Sequence, residues 1–124
     1  MTKQHNPNLT DQQKAVLFDK ATEAPFSGEL LENKANGDYV CANCGHVLFN
    51  SSYKYDSHCG WPSFDRSIPG SVKYIEDLSH GMSRVEVVCA KCEGHLGHVF
   101  DDGPAETTGQ RYCINSLSLD FIKK

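Results

Sequence analysis

The sequence predicts a mainly β protein: two packed antiparallel sheets of short strands with short N-terminal helices, stapled by a four-cysteine zinc site. Three observations lead there. Two Cys-x-x-Cys pairs, Cys41/Cys44 and Cys89/Cys92, lie far apart in a chain of 124 residues. Glycine and proline recur throughout, at Gly60/Pro62, Pro69-Gly70, Gly81, Gly103-Pro104 and Gly109, which keeps the elements short. Apolar and polar residues alternate near the C-terminus, where Leu117, Leu119 and Phe121 are interleaved with Ser118 and Asp120.

In chain order, Thr10-Asp-Gln-Gln13 has the form of a capping box and is followed by the apolar run Ala15–Phe18, which predicts a helix from about Asp11 to Ala21. Pro25-Phe26-Ser27-Gly28 breaks the chain. Asn36-Gly37 before Tyr39-Val-Cys41, with Val47-Leu-Phe49 beyond Cys44, predicts a hairpin carrying a metal knuckle at its tip. Lys73–Glu76 reads as a short strand, and Val85–Cys89 as a strand leading into the second knuckle. Arg111–Phe121 reads as one long strand with a single buried face. No repeat beyond the knuckles, low-complexity tract or linker divides the chain, so residues 1–124 are expected to form one domain.

The net charge of −4 disfavours a non-specific nucleic-acid binder, which needs a basic face. Met1–Lys20 is polar and charged, unlike a signal peptide, and no apolar run approaches the ~18 residues of a membrane span. The expectation is a soluble, cytoplasmic monomer whose six cysteines stay reduced.

Those cysteines divide by spacing. Cys-x-x-Cys lets two thiolates meet one ion from a tight turn, and two such turns give the tetrahedral sulfur cage that suits Zn²⁺, although iron fits the same cage. The second pair starts 45 positions after the first ends (89 − 44), so the metal joins distant parts of the chain. Four sulfurs leave no open coordination position, which makes this ion structural.

Cys59 and Cys113 remain. Cys113 sits in Arg111-Tyr-Cys-Ile-Asn115. On a strand Arg111, Cys113 and Asn115 share a face, so a guanidinium and an amide stand beside a thiol that is otherwise only about 3 % ionised at pH 7. A buried structural cysteine accounts for the local sequence equally well. Cys59 lies in the turn-rich stretch Asp56-Ser-His-Cys-Gly-Trp-Pro-Ser-Phe64, which suits either a resolving thiol on a mobile loop or a passive loop cysteine. Trp61, flanked by Gly60 and Pro62, is a candidate pocket residue. His95 and His98, just past the second knuckle, are candidates for proton transfer, while His46, His58 and His80 are less distinctive and His5 is assigned no role.

Taken together, the two Cys-x-x-Cys pairs, CGWPSF at 59–64, GHLGHVF at 94–100 and RYCINS at 111–116 resemble the type B methionine sulfoxide reductases over Leu9–Phe121. Each epimer of methionine sulfoxide has its own reductase, and the resemblance implies reduction of the R epimer, free or in oxidised proteins. It implies Cys113 as nucleophile, Cys59 as resolving cysteine, Trp61 against the substrate methyl group and His98 as proton donor. It puts His95 and Asn115 in the same pocket, and Cys41, Cys44, Cys89 and Cys92 on zinc. Arg111, on the nucleophile's strand face, joins the substrate-binding residues. Thioredoxin is the implied reductant. Leu117 stands where the family commonly has a smaller residue. The rival expectations are a zinc-stapled binding module, which needs neither Cys59 nor Cys113, and a zinc-ribbon nucleic-acid protein.

Overall fold

The computed structural model describes residues 4–78, 81 and 83–123. His80 lies outside them. Among the described residues there are one α-helix and nine strands. The helix, α1 (Asp11–Asp19), starts as its capping box dictates: Gln13 N–H donates to Thr10 Oγ1 at 3.1 Å and Thr10 N–H to Gln13 Oε1 at 2.9 Å. It stops two residues before the predicted end because Lys20 turns left-handed (φ 59°), and Ala21 N–H then closes on Ala15 O at 3.0 Å. Val16 and Leu17 are its buried face.

The strands are β1 (Gly37–Cys41), β2 (Val47–Asn50), β3 (Lys54–Tyr55), β4 (Ser63–Phe64), β5 (Val72–Asp77), β6 (Arg84–Cys89), β7 (His95–Phe100), β8 (Arg111–Ile114) and β9 (Leu119–Lys123). They pair antiparallel in a three-stranded sheet, β2-β1-β9, and a six-stranded sheet, β3-β4-β8-β7-β6-β5. The predicted class therefore stands, with one N-terminal helix instead of several.

The hairpin β1–β2 and the strands β5 and β6 form where expected. Their two knuckles are near copies. Cys41 N–H donates to His46 O (2.9 Å) and Gly45 N–H to Cys41 O (2.8 Å); Cys89 N–H donates to Gly94 O (3.0 Å) and Glu93 N–H to Cys89 O (2.8 Å). Both turns need one residue at positive φ, supplied by Gly45 (77°) in the first and by Glu93 (64°) in the second.

The long strand expected over Arg111–Phe121 is two strands. β8 ends at Ile114, a 3-10 turn spans Ser116–Ser118, and β9 joins the other sheet. The chain has to leave one sheet for the other, and Ser118 is fully buried at the crossing, its hydroxyl donating to His95 O at 2.8 Å. The alternation holds only from Leu119 onward; Leu117 is half-exposed.

One core draws on both sheets. Phe64 stacks on Phe49 at 4.2 Å and meets the edge of Tyr39 at 5.1 Å, and Leu48, Val87, Leu96 and Ile114 are fully buried around them. Each such side chain contributes about 1.5–3 kcal/mol relative to exposure.

Candidate active site

The central strands of the larger sheet carry the chemistry. Cys113 on β8 pairs with Ser63 on β4 and with His98 on β7. Directly opposed residues share a face, so Ser63, Cys113 and His98 form a row across three strands. Arg111 lies two residues along β8 on that face, and its Nη1 donates to Cys113 Sγ at 2.7 Å. The rest of the guanidinium is committed: Nε and Nη2 grip Asp102 Oδ1 and Oδ2 at 2.7 and 3.1 Å, and the cation lies over the Phe100 ring at 4.4 Å. That bidentate pair, reinforced by the charge of Arg111, holds the Asp102 carboxyl below its usual range.

His95 and His98 are three positions apart, which on a regular strand puts them on opposite faces. A bulge between β6 and β7 changes this. Val87 pairs with Gly97 and Val88 with His95, leaving Leu96 as the extra residue. Both imidazoles then lie on one side, with ring centroids 5.6 Å apart. His98 Nε2 is 2.8 Å from Asp77 Oδ2, and Arg84 Nη2 donates to the same oxygen at 3.2 Å. His95 is buried, with Nδ1 2.8 Å from Glu86 Oε2, and Lys20 Nζ reaches Glu86 Oε1 at 3.1 Å. Burial pulls the His95 pKa below its ordinary value against the opposing pull of Glu86.

A cavity of ≈ 250 Å³ opens on Cys113, lined by Thr22, Trp61, Arg84, His98, Phe100, Arg111, Cys113 and Asn115. Of the sequence-predicted residues, Cys113, Trp61, His98, Arg111 and Asn115 thus come together. His95 stands behind His98 and is not part of the lining. The Asn115 amide is spent on scaffolding instead of on sulfur: Oδ1 accepts from Glu23 N–H at 3.0 Å and Nδ2 donates to Leu96 O at 2.9 Å. Trp61 Nε1 donates to Glu23 O at 3.0 Å. Larger clefts exist: one of ≈ 630 Å³ beside Trp61 and one of ≈ 740 Å³ beside α1 are lined by no cysteine, and a third of ≈ 630 Å³ is lined by Cys59 but not by Cys113. Chemistry, not size, selects the small one.

Cys59 approaches Cys113 from another side. It lines a separate cleft with Tyr55, Ser57, Asp102 and Arg111, and its Sγ lies 3.0 Å from Cys113 Sγ and 3.3 Å from Ser63 Oγ. The sulfurs are unbonded yet within reach, so the Cys59 loop need not travel to meet Cys113. Each thiol shifts the other. Burial raises the Cys59 thiol, but hydrogen bonds from Cys113, Ser57 and Ser63 outweigh it and bring the group down to about 7. Burial, then the hydrogen bond and charge of Cys59, push Cys113 up to about 12 against the pull of Arg111 and Ser63. The anion is therefore favoured on Cys59 and disfavoured on Cys113.

The remaining cysteines form a second group. The sulfurs of Cys41, Cys44, Cys89 and Cys92 all lie within 4.8 Å of one another, with Cys41–Cys92 at 3.6 Å and Cys44–Cys89 at 3.5 Å. An ion bound by four thiolates at about 2.3 Å spaces them about 3.8 Å apart, close to the spacing of this donor set, which could therefore hold a metal. Cys41 ends β1 and Cys89 ends β6, so an ion here joins the two sheets.

Thr22, Arg84 and Phe100 were not singled out from the sequence, nor were Glu23 and Asp77, which support the lining. The Arg84–Asp77 pair follows from the β5–β6 register, where these two residues are opposite one another. Glu23 has no comparable signal.

A family model described as SelR domain matches residues 9–123. Among solved structures, one titled "Crystal Structure of Mis18 'Yippee-like' Domain" is similar with a TM-score of 0.55 at 16 % identity, covering 72 % of this chain and 97 % of that one. At that identity the likeness is one of fold.

Proposed function

This chain belongs to the SelR family, the methionine-R-sulfoxide reductase domain, and from that premise we propose that it reduces the R epimer of methionine sulfoxide, free or in oxidised proteins, by a two-cysteine cycle. The observation that carries the proposal is the position of Cys113 Sγ. It lines a cavity with Trp61 and His98 while lying 3.0 Å from Cys59 Sγ.

In the first step the Cys113 proton passes to Cys59, leaving the Cys113 thiolate beside Arg111. The thiolate attacks the sulfoxide sulfur while His98, as imidazolium, protonates the oxygen. Oxygen ends on Cys113 as a sulfenic acid, and methionine leaves with its sulfur reduced. Cys59 gives up that proton and attacks the Cys113 sulfur; the S–S bond forms, the S–O bond breaks, and the leaving hydroxide takes up the proton and departs as water. A dithiol protein, thioredoxin, then returns both cysteines to thiols by exchange. Trp61 packs on the substrate methyl group, Arg111 steadies the Cys113 anion, and Asn115 and His95 brace the pocket.

Cys41, Cys44, Cys89 and Cys92 are proposed to hold Zn²⁺, which when bound would tie the sheets together and keep four thiols out of the redox cycle. Residues 1–124 act as one cytoplasmic, monomeric domain in this reading; no helix among the described residues is long and apolar enough to cross a membrane.

The test is turnover of separated R and S epimers of a blocked methionine sulfoxide with thioredoxin as reductant. Consumption of the R epimer alone is expected. Equal consumption of both, or of neither, overturns the proposal.

A further inference from the structure

The connection following α1 crosses one wall of the cavity, and Glu23 is where it is tied down. The main chain of Glu23 donates from N–H to Asn115 Oδ1 at 3.0 Å and accepts at C=O from Trp61 Nε1 at 3.0 Å. Its Oε1 accepts from Leu117 N–H at 2.9 Å. One buried residue thus meets the Cys59 loop, the end of the nucleophile's strand and the following 3-10 turn. The carboxyl is packed closely enough that a Cβ at Gly28 would collide with both Glu23 Oε2 and Ser116 Oγ. Burial raises the Glu23 pKa, opposed by hydrogen bonds from Leu117 and Ser116.

These contacts are matched to what they hold. An indole has a single hydrogen-bond donor, and that of Trp61 is spent on Glu23. The Asn115 amide is fixed at both ends, with Glu23 at Oδ1 and Leu96 at Nδ2. Both side chains line the cavity and Glu23 does not.

We propose that Glu23 is a positioning residue for the substrate cavity: its carboxyl locks the connection onto the Ser116–Ser118 turn, so that its N–H and C=O hold Asn115 and Trp61 in register with Cys113. The inference rests on the reductase reading above, in which Trp61 receives the substrate methyl group. Such a wall binds a part of the substrate that does not react, and losing binding shared by ground and transition state raises KM and leaves kcat; a methyl-sized contact in an apolar pocket is worth about tenfold or more.

The experiment uses the full chain with Glu23→Ala and Glu23→Gln. Trp61 is the single tryptophan, so its emission reports the wall directly. For Glu23→Ala, KM for the R epimer should rise roughly tenfold with kcat within about twofold, and Trp61 emission should shift to the red. Glu23→Gln keeps an acceptor for Leu117 N–H and should restore both. If Glu23→Ala does not fold, Glu23→Asp, whose carboxyl falls short of Leu117, should show the same KM rise and red shift. Unchanged KM and emission overturn the proposal. So does loss of melting temperature and kcat together without rescue by Gln, the pattern of a purely structural residue. Wild-type protein inactive on the R epimer removes the reductase reading instead, and the emission of the variants still decides whether Glu23 fixes Trp61.

Discussion

The sulfurs of Cys59 and Cys113 lie 3.0 Å apart, nearer than van der Waals contact and farther than a bond, with Arg111 Nη1 2.7 Å from the second of them. A thiol pair so placed resists ionising at both members, and the difference between them can be measured.

With Cys59 brought down to about 7 and Cys113 pushed up to about 12, one of these two thiols should alkylate with a midpoint near pH 7 and the other should stay slow until strongly alkaline pH. The direction follows from the partners: Cys59 accepts hydrogen bonds that favour its anion, whereas a second anion beside it is opposed. Cys59→Ser removes that opposition and leaves Arg111, so Cys113 should become reactive at lower pH than in the wild type. Mass mapping of iodoacetamide adducts against pH checks both expectations. A Cys113 still inert at alkaline pH in Cys59→Ser contradicts them.

Arg111→Ala removes a charged donor from Cys113 Sγ. Hydrogen bonds to charged groups are worth about 1.5–3 kcal/mol, so kcat should fall roughly tenfold to a hundredfold. Lys at this position cannot grip Asp102 in two places and donate to sulfur as well, so Arg111→Lys should recover only part of the loss. Steady-state kinetics on the R epimer decides this; wild-type kcat in Arg111→Ala removes the guanidinium from the mechanism.

Gly97 permits β7 and β8 to approach where the reactive residues are. A Cβ at this position would collide with the carbonyl oxygen of Cys113 and lie 3.0 Å from Ile114 Cα. Gly97→Ala should therefore force the two strands apart, costing about 1–3 kcal/mol of stability and at least tenfold in turnover, because His98 and Cys113 sit on opposite sides of that ladder. Thermal melting and kcat measured together test it; unchanged values for both contradict the close approach.

Cys41→Ser opens the four-sulfur cluster. A structural zinc held here would contribute on the order of 10 kcal/mol as an apparent value at neutral pH, comparable to the whole stability of a typical domain, about 5–15 kcal/mol. The variant, or the wild type after prolonged chelation, should lose its cooperative unfolding transition and its bound metal together. A metal-free protein melting like the wild type shows that the cluster packs without an ion.

How far the sequence alone led depends on how local each signal was. The capping box at Thr10, the knuckles and the strands before them are set by neighbouring residues, and they formed where predicted. Arg111 and Cys113 share a strand face, so their contact was legible too. The long C-terminal strand was misjudged because its break at Asn115–Ser118 answers a tertiary demand, a crossing between sheets, while the apolar alternation runs on regardless. β7 was missed because its glycine and two histidines hide an apolar pattern. Its bulge depends on register with β6, which no stretch of β7 encodes by itself. Glu23 acts on residues some forty and ninety positions away, through its main chain as well as its carboxyl, and main-chain contacts leave no mark in residue type.

The proposed division of labour among the cysteines is tested most directly by a single turnover without reductant, read by intact mass and peptide mapping. With the R epimer, about one methionine per chain should appear together with one Cys59–Cys113 disulfide, the other four cysteines still reduced, and Cys113→Ser should yield neither product. Methionine formed at the wild-type rate by Cys113→Ser, or a disulfide that includes Cys41, Cys44, Cys89 or Cys92, would contradict the account.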